Sequence, residues 1–290
     1  MNITDIPVRV IGPGSQPSES DGQTLTYIDM PSDMATFEPP PMPEGGDYSA
    51  YTGAREAALW LAEALRDYQH GGDPLLADLT ALDRANRDLV NQILVEGEVS
   101  VTRSGILEAR SQEAALAGVW RTLYLDRESH VVRDILEVGD VPHIVRLEEE
   151  TEGDPETLVP DVENLPEGVV NALPILVEIE EHCARYRETG EAHSINLSLL
   201  PLTEEDQVYL DERLGPATLD TLSRAYGKCS VRNTGVPDVW WVRFYNSMGT
   251  LILNTLEIVG VPEVLRAAPE DLADSRERLD AILAPYWPLS

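Results

Sequence analysis

The chain has 290 residues, 42% of them hydrophobic and 25% charged, which is typical of a globular protein with room for two domains of about 150 residues. Its 52 acidic residues outnumber its 21 basic residues and give a formal net charge of −31, so nucleic acids and anionic membrane surfaces are poor partners. No run approaches the roughly 18 apolar residues of a membrane helix, and no signal-peptide pattern opens the sequence, so we expect a cytoplasmic protein.

Residues 1–50 form a proline-rich, acidic segment that holds eight of the 21 prolines and eight acidic residues. Proline lacks a backbone donor and biases the residue before it away from helix, so this segment is predicted to be extended. The first predicted helix follows over residues 54–68, where apolar side chains recur at three- and four-residue spacing.

An internal repeat is the most informative pattern in the sequence. Val119–Tyr124 lies 120 positions before Val239–Phe244, and the same register continues to Pro142 and Pro262. Upstream the offset is near 118, where Leu79-Thr80-Ala81-Leu82 matches Leu197-Ser198-Leu199-Leu200 and Gly97 matches Gly215. A repeat of this length predicts two structurally equivalent units.

The fold class predicted from this repeat is α+β, with an internally duplicated unit of one helix, antiparallel strands and a short helix opened by proline. The predicted helices span residues 83–95 and 203–214. The predicted strands are 98–102, 118–126 and 130–138 in the first unit, and 218–222, 239–245 and 250–259 in the second.

The predicted domain organisation follows from the repeat. Residues 51–146 form the first unit with its leading helix, and residues 147–164 form a strongly acidic linker. Residues 165–290 form the second unit, with a leading helix that runs to about residue 188 and a C-terminal helix over residues 269–286.

Two groups of residues are candidates for chemistry. His182, Cys183 and His193 form the only local grouping that suits a soft metal, although Cys183 also lies on the apolar stripe of its helix and is favoured as core. Glu137 and Glu257 occupy equivalent repeat positions and could face each other as an acid–base or metal-binding pair. Pairing of each carboxylate with a neighbouring-strand arginine such as Arg121 or Arg243 is the favoured alternative.

Cys229 follows Lys228, which could lower the pKa of the thiol, but a single thiol without a resolving partner is a weak redox signal. No P-loop, HExxH, GxSxG or kinase pattern is present. The sequence therefore predicts no catalytic residues, no metal and no cofactor.

Aromatic residues distinguish the two units. Trp120 and Trp240 share a strand face with Tyr124 and Phe244, which predicts core. Trp241 points to the opposite face, where the first unit carries Arg121. We therefore predict that Trp241 is more exposed than Trp240 and contacts a partner protein, together with Arg243, Glu137 and Glu257. Burial of Trp241 between the two units is the alternative.

Several strings resemble one known family: Gly12-Pro13-Gly14-Ser15-Gln16-Pro17, Gly97–Val101, Gly118–Arg121, His193–Leu197 and Pro262–Leu272. They are similar to the HupH/HyaF family of hydrogenase expression/formation proteins over nearly the whole chain. The resemblance implies a non-catalytic accessory factor, or assembly chaperone, in maturation of a nickel–iron uptake hydrogenase. Its implied partners are the iron–sulfur small subunit or its precursor and other hydrogenase accessory proteins.

A second hypothesis stays open. The chain could instead be a metal or iron–sulfur carrier, or an enzyme, that uses His182, Cys183 and His193 or the Glu137/Glu257 pair.

Overall fold

The computed structural model describes residues 48–147, 158–159, 165–223 and 228–287. Most of the predicted extended segment 1–50 and of the acidic linker 147–164 thus lies outside the described residues. Among the helices of the described part, none is long and apolar enough to cross a membrane.

The described part of the first half opens with a short 3-10 turn at Tyr48–Ala50 and contains three helices and five strands. Its helices are α1 (Thr52–Asp67), α2 (Arg84–Leu94) and α3 (His143–Arg146). Its strands are β1 (Leu75–Asp78), β2 (Glu96–Arg103), β3 (Glu108–Ala114), β4 (Val119–Leu125) and β5 (Val131–Val138).

The second half repeats this order and adds a C-terminal helix. Its helices are α4 (Ala172–Thr189), α5 (Glu204–Leu214) and α6 (Pro269–Leu283), with 3-10 turns at Leu197–Leu199 and Glu263–Leu265. Its strands are β6 (His193–Asn196), β7 (Leu219–Ser223), β8 (Lys228–Asn233), β9 (Val239–Tyr245) and β10 (Leu251–Ile258).

All ten strands form one antiparallel sheet in the order β1-β5-β4-β3-β2-β7-β8-β9-β10-β6. Read outward from the central β2–β7 pair, the two halves have the same strand order. The two small helical turns after β5 and β10 also begin after Pro142 and Pro262, as predicted. The structure thus agrees with an α+β protein built on antiparallel strands.

Three helix ends in the described part of the chain have clear capping chemistry. The Asp83 carboxylate accepts from the backbone N–H of Asn86 at 2.9 Å and caps α2. Thr203 and Asp206 form a reciprocal capping box at α5, as the sequence predicts. Gly190 ends α4 with φ of 70°, a left-handed conformation that glycine adopts without steric cost.

Two of the hydrophobic clusters among the described residues bear on the predicted sites. One contains Trp120 and Trp240 and draws residues from both halves, so it joins them into one core. The other lies under α4 and α5 and contains Trp241, Cys183 and Leu210. The prediction that Trp120 and Trp240 are core residues, with Tyr124 and Phe244 packed beside them, is confirmed.

Equivalent backbone positions in the two halves carry equivalent contacts. The indole N–H groups of Trp120 and Trp240 donate to the carbonyls of Gly139 and Val259 at 3.0 and 2.8 Å. Gly118 and Asp238, also 120 positions apart, both have positive φ. The two halves therefore share local geometry as well as strand order.

The predicted match of Gly97 with Gly215 is wrong. Both α2 and α5 end at a residue with positive φ, and these residues are Val95 (50°) and Gly215 (76°). From α2 onward the offset is 120, because the two-residue difference between the halves falls in the loop before that helix.

Strands β1, β3, β6 and β8 have no counterpart among the predictions. The sequence of β3, Glu-Ala-Arg-Ser-Gln-Glu-Ala, has little β-branched content and resembles an exposed loop. Strands β1 and β6 are only four residues long and lie at the two edges of the sheet.

Candidate functional site

Glu137 lies at the centre of a buried polar network on β5. Its side chain is fully buried, and its Oε2 accepts from the backbone N–H of His143 at 2.7 Å. The Thr122 hydroxyl donates to Oε1 and also lies 2.9 Å from the hydroxyl of Ser111. Both carboxylate oxygens are thereby occupied by internal partners.

His143 links this network to Tyr124. Its Nδ1 lies 2.8 Å from Glu137 Oε1, although the approach falls outside hydrogen-bond geometry, and its Nε2 contacts the Tyr124 hydroxyl. Burial and the nearby Glu137 carboxylate raise the pKa of Tyr124, so this phenol is protonated at neutral pH. Tyrosine, imidazole and carboxylate groups that contact one another in this order can orient a proton. Of the three, only Tyr124 and His143 are partly exposed and open to a second molecule.

The described residues of the second half do not repeat this network. The counterparts of Ser111, Thr122 and Tyr124 are Val231, Val242 and Phe244, which belong to the shared core. Glu257 is only half-buried, and its desolvation raises its pKa. It lines a cavity of about 530 Å³ together with His193 and Arg266.

Glu137 and Glu257 therefore have different environments. Their strands, β5 and β10, are separated by six strands in the sheet order. No hydrogen bond or ion pair between the described residues joins the two carboxylates. The predicted face-to-face pair has no direct contact to support it.

A second buried carboxylate, Asp140, holds the two halves together. Its Oδ1 accepts from the Tyr68 hydroxyl at 2.6 Å and from Arg146 at 2.7 Å, and its Oδ2 accepts from Arg266 of the second half at 2.6 Å. Burial alone would raise the pKa of Asp140, but the hydrogen bonds and the two guanidinium groups outweigh it and hold the pKa below its usual value. Burial, together with the hydrogen bond from the Tyr68 hydroxyl to Asp140, raises the pKa of Tyr68 to about 12.

Sequence reasoning missed this cluster, although a signal was present. Tyr68 and Tyr186 are equivalent residues, and each hydroxyl accepts a backbone N–H, from Asp140 at 3.0 Å and from Gly260 at 2.7 Å. The first half therefore carries a carboxylate at the position where the second half carries glycine. An acidic residue in one half at a position where the other half has glycine therefore indicates a contact that only the first half makes.

The prediction that Trp241 is more exposed than Trp240 is wrong. Trp241 is 1% exposed and Trp240 is 6% exposed. Trp241 packs under α4 and α5, and the guanidinium of Arg243 lies 4.4 Å from its ring centroid. The repeat correctly singled out Trp241 as an aromatic residue without a counterpart in the first half. The prediction failed because apolar side chains of α4 and α5 cover this face of the sheet.

The predicted group of His182, Cys183 and His193 is divided by the structure. His182 and His193 stack with ring centroids 3.4 Å apart, whereas Cys183 points into the core. Burial raises the pKa of both Cys183 and Cys229 to about 11. The expectation that Lys228 lowers the pKa of Cys229 is therefore wrong. Both thiols are protonated at neutral pH, which disfavours ligand or nucleophile roles.

Comparison with known proteins assigns the fold to a family. The chain is an α+β protein with one antiparallel sheet, and the family model for the HupH hydrogenase expression protein, C-terminal conserved region, matches it over residues 53–162 and again over 169–286. The chain belongs to this family, which confirms the resemblance described from the sequence motifs.

Three relatives of similar length, named first below, support this assignment. The hydrogenase expression/formation protein HoxQ of Cupriavidus necator is 40% identical over 98% of both chains. HupH of Rhodobacter capsulatus is 39% identical over 96% of both chains, and the hydrogenase-1 operon protein HyaF of Escherichia coli is 33% identical over 73% of both. The solved structure of a hydrogenase expression protein HupH from Thiobacillus denitrificans is 36% identical and covers 40% of this chain and 96% of that chain, with a TM-score of 0.38.

Proposed function

We propose that this chain is a non-catalytic assembly factor in the maturation of a nickel–iron uptake hydrogenase and acts on its iron–sulfur small subunit in the cytoplasm. The observation that carries the proposal is the family match over both halves of the chain. Relatives matched over nearly their full length are expression/formation proteins, which supports a role in hydrogenase maturation.

The state of the reactive side chains favours binding over catalysis. Both cysteines are buried and protonated, and each oxygen of the fully buried Glu137 carboxylate accepts an internal hydrogen bond. A general base must lie within hydrogen-bond reach of its substrate. Burial keeps Glu137 out of that reach in this structure.

We also infer that the two halves arose by internal duplication. The shared strand order, the paired tryptophan hydrogen bonds and the double family match support this inference. The differences between the halves, such as Asp140 against Gly260, are then features that each copy acquired for itself.

Of the four predicted partner-binding residues, two can reach a partner. Trp241 and Glu137 are buried, so any influence on a partner is exerted through packing. Arg243 and Glu257 are partly exposed. With a net charge of −31, the chain favours a partner with a basic region, and salt should weaken that contact.

Affinity capture tests the proposal. The full chain is used as bait in cells that make the hydrogenase, with and without the small-subunit precursor. Recovery of the precursor, together with lowered hydrogenase activity when the gene for this chain is deleted, is the expected result. Turnover of a small substrate by the purified chain, or normal hydrogenase activity in the deletion strain, would refute the proposal.

A charge reversal tests the contact surface. Glu257→Lys is expected to reduce precursor recovery, because it reverses a charge at the open cavity beside Arg266. Glu277→Lys makes the same change at an exposed position of α6 and serves as the matched control. Equal recovery by both variants would remove Glu257 from the interface.

A further inference from the structure

Three ligand-type side chains converge at the junction of α4 and β6. Glu178, His182 and His193 each offer one ligand atom, and these atoms all lie within 4.8 Å of one another. Glu178 Oε1 is 2.7 Å from His193 Nε2, and the two imidazole rings are parallel to within 2°. All three side chains are partly exposed, so an ion can reach them from solvent.

Regular secondary structure positions this group, which we call the Glu178 cluster. Glu178 and His182 are one turn apart on α4 and thus lie on the same face of the helix. His193 begins β6, where its backbone pairs with Ile258 of β10. Sites on helices and strands hold their ligands more precisely than sites on loops.

The first half shows that the fold does not need polar residues at these positions. The strand pairs His193–Ile258 and Leu75–Val138 are equivalent in the two halves. By the same offset of 118, Glu178 and His182 correspond to Trp60 and Ala64 on α1. The first half thus has three apolar residues where the second half has three potential metal ligands. Since the first half folds with apolar residues there, the ligand-type side chains of the second half indicate a role other than folding.

The described residues contain a second group of this kind, and its chemistry is different. Asp126, Glu128 and His130 lie in the β4–β5 hairpin, where Asp126 Oδ1 accepts the backbone N–H groups of Glu128 and His130, both at 2.9 Å. Asn246 makes the same two contacts in the equivalent β9–β10 hairpin. Since an amide performs the same task, Asp126 is a turn residue.

We propose that the Glu178 cluster binds one divalent first-row transition-metal ion, such as Zn²⁺ or Ni²⁺, through the Glu178 carboxylate and the imidazoles of His182 and His193. Two imidazoles with one carboxylate suit such ions, whereas Mg²⁺ and Ca²⁺ prefer oxygen ligands throughout. Three protein ligands leave at least one position for water or for a group from another molecule.

The metal alone is the probe in the test. Tag-free full-length chain is titrated calorimetrically with Zn²⁺ and Ni²⁺, and with Mg²⁺ as the hard-ion comparison. We expect one transition-metal ion per chain and no binding of Mg²⁺. Glu178→Gln, His182→Asn and His193→Asn are each expected to weaken binding by about 100-fold or more, since even outer partners of metal ligands contribute about 10–100-fold.

Matched controls separate the cluster from the general acidity of the surface. Glu181→Gln removes an exposed carboxylate on the same helix, His130→Asn removes the hairpin imidazole, and Cys183→Ser removes the buried thiol. Each is expected to retain binding, and the Co²⁺ form is expected to lack thiolate-to-metal charge transfer.

Far-UV circular dichroism confirms that each variant is folded. Absence of binding by the wild-type chain, or unchanged binding by a folded His182→Asn/His193→Asn double variant, would overturn the proposal. These outcomes do not depend on whether the chain acts on a hydrogenase subunit.

Discussion

The indole N–H of Trp241 donates to Asn254 Oδ1 at 2.5 Å, and the same two sheet positions in the first half hold Arg121 and Asp134. There the guanidinium makes two hydrogen bonds to the carboxylate, at 2.9 and 2.7 Å. The cross-strand pair is thus preserved in place while its chemistry changes from an ion pair to a neutral hydrogen bond.

This exchange predicts strong coupling between residues 241 and 254. Asn254→Asp leaves a buried carboxylate beside an indole and should destabilise the chain by about 3 kcal/mol or more. Trp241→Arg/Asn254→Asp recreates the first-half ion pair and should recover at least about 1 kcal/mol relative to the sum of the single changes. Urea unfolding of the wild type, Trp241→Arg, Asn254→Asp and the double variant measures this double-mutant cycle. Additive changes in the free energy of unfolding would contradict the prediction.

Asp140 should contribute stability that depends on pH. Its folded-state pKa lies below the usual value, so its contribution is present above the unfolded pKa and is lost as the pH falls through the folded pKa. Asp140→Asn leaves Arg146 without its counter-charge and leaves Arg266 only the exposed Glu263, 3.8 Å away. It is expected to cost about 3–5 kcal/mol at neutral pH, less in acid.

Asp126→Asn is the matched control for this prediction, because asparagine already occupies the equivalent turn at residue 246. Its effect should be small at every pH in comparison with that of Asp140→Asn. Urea unfolding at several pH values measures both variants. A loss at Asp140 that does not shrink in acid would contradict the electrostatic explanation.

Glu113 is predicted to have the opposite pH dependence. Burial raises its pKa to about 7, with smaller contributions from the Asp271 and Glu98 charges, although the Gly118 N–H donates to it. Ionisation therefore opposes folding, and stability falls as the pH rises from about 4.5 to about 7. Glu113→Gln keeps the acceptor for Gly118, so it should raise the melting temperature at about pH 8 and change it little at about pH 4. An equal shift at both pH values would contradict this origin.

Val95 is predicted to strain the end of α2. A β-branched residue at φ of 50° is unfavourable, and the equivalent position in the second half is Gly215. Since Val95 is exposed, Val95→Gly should lose little burial and gain about 1 kcal/mol, as relief of strain exceeds the added chain entropy. Gly215→Val should lower stability in the same denaturation assay. Destabilisation by Val95→Gly would contradict the prediction.

The internal repeat predicted much of the fold, but it did not predict the polar strands. The strands around Trp120 and Trp240 were identified because alternation of apolar side chains reports a buried face. β3 and β8 lie between other strands of the sheet, but their apolar alternation is weak. The buried face of β3 includes the polar Ser111, and β8 alternates over only two residues, Cys229 and Val231. Their place is set by pairing on both sides, which is a tertiary property.

The candidate sites were harder to predict, since they depend on which helix face meets which strand. His182 and His193 were identified from residue type, but Glu178 was not, because a glutamate four residues before a histidine is common on exposed helices. The contrast with Trp60 and Ala64 was available from the repeat. Asp140 depends on Arg266, which is 126 residues away and meets it only in the folded chain.

The β2–β7 pairing places Val101 opposite Thr221, which is its own counterpart 120 residues later. Two identical chains that meet across a two-fold axis make this kind of antiparallel contact, each strand facing its own copy. The two halves are therefore arranged as the subunits of a two-fold dimer would be. Their seam is the β2–β7 pair, and either half alone would expose this strand edge to pairing with another strand. If the chain is cut within residues 148–157, the two fragments should stay associated through that seam, as subunits do.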